Sequence, residues 1–150
     1  MLQKIYSDGK VKPIRLNANY GSQEYAEKLV NGLVAMTESD GPYLVHCTEG
    51  KDRTGFVCVL LECLCGADYD EIKNDYMITY DNYYGITEES DKEKYDILVE
   101  SLLDPMIQTL AGDNNANVSD VNLVENAEKY LKDGGMTDNQ ISQLRDKLTK

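Results

Sequence analysis

The sequence predicts an α/β domain, with a few parallel strands flanked by helices and a C-terminal half that is mostly helical. Three observations carry this prediction. Tyr43-Leu44-Val45 is a short apolar run of the kind that forms a buried strand. A polar, glycine-containing loop, His46–Lys51, follows it and leads into an apolar stretch of helical length, Arg53–Cys65. Helical periodicity then recurs to the C-terminus, and one strand buried between helices indicates α/β rather than all-α.

The elements read as follows. Ser7-Asp8-Gly9 is a turn signal, and Val11–Leu16 reads as a short edge strand because Pro13 lacks a donor for a central ladder. From Ser22, Tyr25, Leu29, Leu33 and Met36 fall on one helical face, until Asp40-Gly41-Pro42 breaks the pattern. The helix Arg53–Cys65 ends at Gly66, and Asp70 is placed to cap a helix carrying Ile72, Tyr76 and Tyr80 on one stripe. Glu88–Leu103 is helical and interrupted by Pro105. Gly112–Asn115 is a loop, and Asp120–Leu131 is helical up to Gly134-Gly135. Thr137 and Gln140 form a capping box opening a last helix with Ile141, Leu144 and Leu148 on its apolar face.

At 150 residues the chain suits a single domain, 1–150. Its formal net charge of −12 and pI near 4.4 argue against a nucleic-acid partner or docking on anionic membranes, both of which need a basic field. No apolar run approaches the ~18 residues of a membrane span, and the N-terminus carries no signal-peptide core. Four cysteines do not make a disulfide scaffold. The expected location is therefore cytoplasmic, with a secreted effector as the alternative. With one histidine in the chain, Cys58, Cys63 and Cys65 read as core residues rather than zinc ligands. Asp113, Asn115 and Asn117 have calcium-loop spacing, but Val118 and Val124 stand where glycine and glutamate are needed. Neither a metal nor a cofactor is expected.

The chemistry concentrates in Tyr43–Phe56, YLVHCTEGKDRTGF. Cys47 is followed by five residues, Thr48–Asp52, and then by Arg53 and Thr54. A tight loop of successive backbone N–H groups makes a concave anion nest, and the helix after it points its positive end at the same place. Gly50 permits a turn that a Cβ would obstruct. The Arg53 guanidinium can grip two phosphate oxygens at once and never loses its charge. A thiol in that field ionises below its ordinary ~8.5, which makes Cys47 a nucleophile aimed at phosphorus. Thr48, Glu49, Gly50, Lys51, Asp52 and Arg53 are thus the candidate phosphate-binding residues. Asp52 reads equally as a cap for the helix beginning near Arg53. Tyr76, Tyr80, Tyr83 and Tyr84 either line a cleft for an aromatic phosphoester or belong to the core.

HCTEGKDRTG resembles the signature loop of the cysteine-dependent protein-tyrosine-phosphatase superfamily. More narrowly, it is similar to the bacterial tyrosine/serine phosphatase family with a His-Cys-x-x-Gly-Lys-Asp-Arg-Thr-Gly loop. Asp75–Thr79 and the Met136–Leu148 helix are also similar to that family. The resemblance implies a metal-independent, two-step phosphomonoester hydrolase. Cys47 forms a phosphocysteine that water then hydrolyses; Arg53 and the loop N–H groups stabilise the equatorial oxygens. It further implies that His46 bonds behind the loop and tunes the thiolate, that Thr54 donates to Cys47 as it departs, and that Asp52 is the general acid. The implied substrate is a phosphorylated protein or small phosphoester, with phosphotyrosine or dual specificity first. Lys51 at the rim is associated with phosphoinositides, and Glu49 opposes that reading. A phosphate-binding module without turnover is the alternative of another class. Only 46 residues precede Cys47, whereas the family builds several strands upstream. The chain is therefore expected to lack part of the N-terminal sheet, with a homodimer or second chain completing it.

Overall fold

Helix α1 begins where Ser22 can cap it. In the computed structural model, which describes residue 8 and residues 11–149, the Ser22 hydroxyl accepts from the Tyr25 N–H and α1 spans Gln23–Thr37. Tyr25, Leu29, Leu33 and Met36 are all buried on its inner face, as their spacing predicts. Asp8 lies in a turn; Ser7 and Gly9 of the predicted turn lie outside the described residues.

The central element is α2, Arg53–Cys65. Phe56, Val57, Val59, Leu60, Cys63 and Leu64 point around most of its circumference and are all buried, which a helix tolerates only when neighbours enclose it. Gly66 ends it at φ +92, a left-handed conformation that suits glycine. Helix α3, Tyr69–Tyr84, is capped by Asp68 rather than by the expected Asp70. The reason is Glu71: its N–H donates to the Asp68 carboxylate and its own carboxylate accepts the Asp68 N–H, both at 2.9 Å. Asp70 sits inside the first turn and pairs with Lys73.

Helix α4, Lys92–Leu98, widens into a π-helical turn, Val99–Leu103, that runs on into α5, Asp104–Ala111. Pro105 does not interrupt the path as expected, because it falls in the first turn of α5, where a missing donor is tolerated. A 3₁₀ turn, Val118–Asp120, precedes α6, Leu123–Asp133, which Asn122 caps; the predicted start at Asp120 is thus displaced. Helix α7, Asp138–Leu148, opens with the predicted Thr137–Gln140 capping box. Around α2 stand α3, α5, α6 and α7, while α1 packs on α6 and α7. Arg145 of α7 donates to the Leu64 carbonyl at 2.9 Å and pairs with Glu128 of α6, fastening the C-terminal end of α2.

The described residues form no strand, so the predicted α/β class, with its parallel sheet flanked by helices, is corrected to a helical fold. A strand is defined by its neighbour, ~4.8 Å away, and neither candidate has one among the described residues. Val11–Leu16 is irregular and pairs with no strand among the described residues, and Arg15 within it takes a left-handed φ of +56 that no strand holds; Ile14 lies so close over Gly32 of α1 that a Cβ there would meet its Cδ1 at 2.5 Å. Tyr43–Val45 is irregular too, anchored by the Tyr43 hydroxyl, which donates to the Met36 carbonyl at 2.8 Å. Leu44, expected inside, is 87% exposed. Of the three cysteines read as core, Cys63 is buried but Cys58 and Cys65 are exposed. Among the described residues no helix is long and apolar enough to cross a membrane.

Candidate active site

Tyr43 holds the approach to the loop, and the first turn of α2 holds its exit. Between them the chain folds back so that the Gly50 N–H comes within 3.2 Å of the Cys47 sulfur. Gly50 adopts φ +82, which explains the residue type at the turn. Burial opposes ionisation of Cys47, but the Thr54 hydroxyl and N–H, with the N–H groups of Gly50 and Glu49, outweigh it and bring the thiol down to about 6. The Thr54 hydroxyl is buried with no nitrogen or oxygen partner, which leaves its proton for the thiol.

Arg53, the first residue of α2, donates to Thr48 Oγ1 at 3.1 Å and to the Leu16 carbonyl at 3.4 Å. The segment before α1 therefore helps to orient the guanidinium. Its next aromatic, Tyr20, stacks on Phe56 of α2 with ring centroids 4.6 Å apart, and burial raises the Tyr20 pKa. Asp52 stands at the cap position of α2 but makes no capping bond. Its carboxylate instead accepts from Lys51 at 3.0 and 3.2 Å, and Lys51 also lies 3.4 Å from Glu49. The ammonium is held above its ordinary pKa, first by its bond to Asp52. His46 is exposed, its Nδ1 3.3 Å from the Cys47 carbonyl oxygen, so the contact is with the backbone and not with the sulfur. The loop thus brings Cys47, Thr48, Gly50, Arg53 and Thr54 together, while Glu49, Lys51 and Asp52 form an ionic cluster on its rim.

Two contacts carry no local mark in the sequence, although Tyr83 itself stands among the cleft candidates. Tyr83, at the end of α3, donates to the Glu49 carbonyl at 3.0 Å. Tyr76 and Tyr80 are buried beneath, Tyr76 pressed so near Gly55 that a Cβ there would meet its Cε2 at 2.8 Å. The second contact is made by Glu62, a lone carboxylate in the apolar helix α2. Together with Asp75 of α3 it lines a cavity of about 50 Å³ that reaches Gly50. Burial, then a hydrogen bond to Asp75 and its charge, push Glu62 up to about 8. Its position in so apolar a run was the only available signal.

The Glu62 shift has a thermodynamic consequence. Between its ordinary 4.5 and about 8 the folded chain keeps a proton that the unfolded chain releases. Stability from this group is therefore complete below pH 4.5 and is lost as pH rises through about 8. Glu62 is half-buried, so solvent screening leaves roughly 1–2 kcal/mol. Glu62→Gln is expected to match the wild-type Tm at low pH and to exceed it by ~3–6 °C above pH 8. A Tm difference independent of pH, followed by circular dichroism, contradicts the shared proton.

Among the described residues no group of three or more His, Cys, Asp or Glu side chains is arranged to hold a metal ion. The chemistry on offer belongs to a thiol of lowered pKa, the N–H groups of Glu49, Gly50 and Thr54 turned on its sulfur, and a planar cation at the far end of the same loop. That combination suits the class of site in which an anion is held beside a nucleophilic cysteine. Comparison with known proteins narrows the class: the chain belongs to the tyrosine phosphatase family, whose sequence pattern matches residues 12–150. It is similar to the triple specificity protein phosphatase PtpB of Mycobacterium tuberculosis, with 39% identity over 57 residues, 38% of this chain and 21% of the relative. It is also similar to a tyrosine-protein phosphatase of Nostoc commune, with 31% identity over 118 residues, 74% of this chain and 40% of the relative. The chain thus spans well under half the length of either curated relative. No solved structure matches it.

Proposed function

We propose that the chain is a single phosphatase-like domain that hydrolyses phosphomonoesters through a phosphocysteine, acting first on phosphotyrosine and with dual specificity in reach. The observation that carries this reading is the Cys47 thiol, brought down to about 6 inside a loop that ends in Arg53. In the first step the thiolate attacks phosphorus, the ester P–O bond breaks, and Asp52 protonates the leaving oxygen. In the second, Asp52 takes a proton from water, whose oxygen displaces sulfur and releases inorganic phosphate. Arg53 exchanges Thr48 and Leu16 for two phosphoryl oxygens, and the amides from Thr48 to Asp52 hold the others. Thr54 stabilises the departing thiolate, and His46 fixes the backbone at the start of the loop.

Lys51 favours protein over inositide substrates in this setting. Its charge is already matched by Asp52 and Glu49, and the chain as a whole is strongly acidic, so a polyanionic headgroup gains little at the rim. The exposed ring of Tyr83 beside the loop supports an aromatic ester. The free cysteines and the need for a reduced thiolate support action in the cytoplasm. The open Tyr43–Val45 segment, with Leu44 on the surface, is the face a second copy or a second chain would cover.

The test is a parallel panel of phosphotyrosine peptide, phosphoserine peptide and phosphoinositide, each with wild type and Asp52→Asn. Phosphotyrosine peptide is expected to give the highest kcat/KM. Asp52→Asn is expected to slow alkyl esters by ~10²-fold or more and aryl esters with good leaving groups far less. Faster turnover of the inositide overturns the substrate assignment, and an unchanged alkyl rate overturns the acid.

A further inference from the structure

One peptide unit of the loop is gripped from both sides. Its N–H belongs to Gly50 and lies 3.2 Å from the Cys47 sulfur. Its carbonyl belongs to Glu49 and accepts from the Tyr83 hydroxyl at 3.0 Å, across 34 residues of sequence. The unit is planar and trans, so its N–H and C=O point in opposite directions, and fixing one fixes the other. Gly50, at φ +82 with open space where a Cβ would stand, offers little steric resistance to rotation of that plane. Among the described residues the Glu49 carbonyl has no other partner. Tyr83 is itself well placed to act as a stop. Its ring meets Tyr84 at 6.0 Å, Tyr84 stacks on the buried Tyr80 at 6.1 Å, and Gly85 closes the helix behind them.

We propose that Tyr83 is a positioning residue of the loop, its hydroxyl locking the Glu49–Gly50 peptide so that the Gly50 N–H is aimed at the Cys47 sulfur. Donation to the carbonyl also polarises the amide and strengthens the bond at its other end. The same N–H is available to a phosphoryl oxygen once the sulfur is engaged, a consequence that rests on the phosphatase reading. The other groups around Cys47 are Thr54 and Arg53 of α2, Tyr25 of α1, Tyr20 before it, and His46, Glu49, Lys51 and Asp52 of the loop. Tyr83→Phe leaves all of them in place and removes one oxygen.

The thiol can be titrated without turnover, by following the pH dependence of iodoacetamide alkylation at Cys47 through peptide mapping. Tyr83→Phe is expected to raise the alkylation midpoint by ~0.5–1 unit, with an unchanged Tm. It is also expected to move the acid limb of the aryl-phosphate pH–rate profile by the same amount. Tyr84→Phe, which keeps the ring stack but has no bond to the loop, is expected to keep the wild-type midpoint. A wild-type midpoint in Tyr83→Phe overturns the proposal, as does an equal rise in both variants, which assigns the effect to ring packing. A wild-type chain without turnover whose midpoint still responds to Tyr83→Phe overturns the phosphatase reading and leaves the positioning role standing.

Discussion

Cys47→Ser is expected to lower aryl-phosphate turnover by ~10⁴-fold or more while leaving vanadate or phosphate binding within a few-fold. The site brings its thiol from 9 to about 6, so near neutral pH most of the sulfur is an anion facing the amides. A serine hydroxyl starts several units higher and stays protonated under the same shift, so the nucleophile is lost. The cradle survives, because its donors are backbone N–H groups and Arg53 rather than the sulfur. Steady-state kinetics together with anion-binding calorimetry check both halves. Residual turnover above about a hundredth of wild type removes Cys47 from the chemistry.

Arg53→Lys is the second large effect, with an expected fall of ~10²–10³-fold in kcat and a weaker grip on phosphate. The charge is conserved; the fork is not. In the resting loop one end of the guanidinium holds Thr48 Oγ1 and the other reaches the Leu16 carbonyl, a two-pronged geometry that an ammonium cannot span. As charge redistributes over the equatorial oxygens, two parallel N–H donors follow it better than one point charge. A loss smaller than tenfold in kcat indicates that the loop amides carry the transition state without the fork.

The legible part of this protein is the part written in consecutive residues. Cys47, Gly50 and Arg53 belong to one short segment, so their convergence follows from a single tight turn. Helices were legible where a periodic face met a local cap, as with Thr137 and Gln140 or Gly66. Asp68 and Asp70 show the limit: both can cap, and the reach of Glu71 decides between them. The strands failed for a different reason. Tyr43–Val45 has the composition of a strand, but pairing is a property of two segments, and the described residues supply no second one. Tyr83 on the Glu49 carbonyl and Glu62 beside Asp75 were illegible because each joins elements far apart in sequence, with no local pattern to mark the contact.

The central claim, that phosphoryl passes through the Cys47 sulfur, is tested most directly by trapping it. The wild-type chain is mixed with a phosphotyrosine peptide, denatured within milliseconds, digested, and its peptides are weighed. The expected result is a phosphoryl group on the peptide carrying Cys47, absent from Cys47→Ser. Steady turnover with Cys47 unmodified at every quench time, or with the group on another side chain, contradicts it.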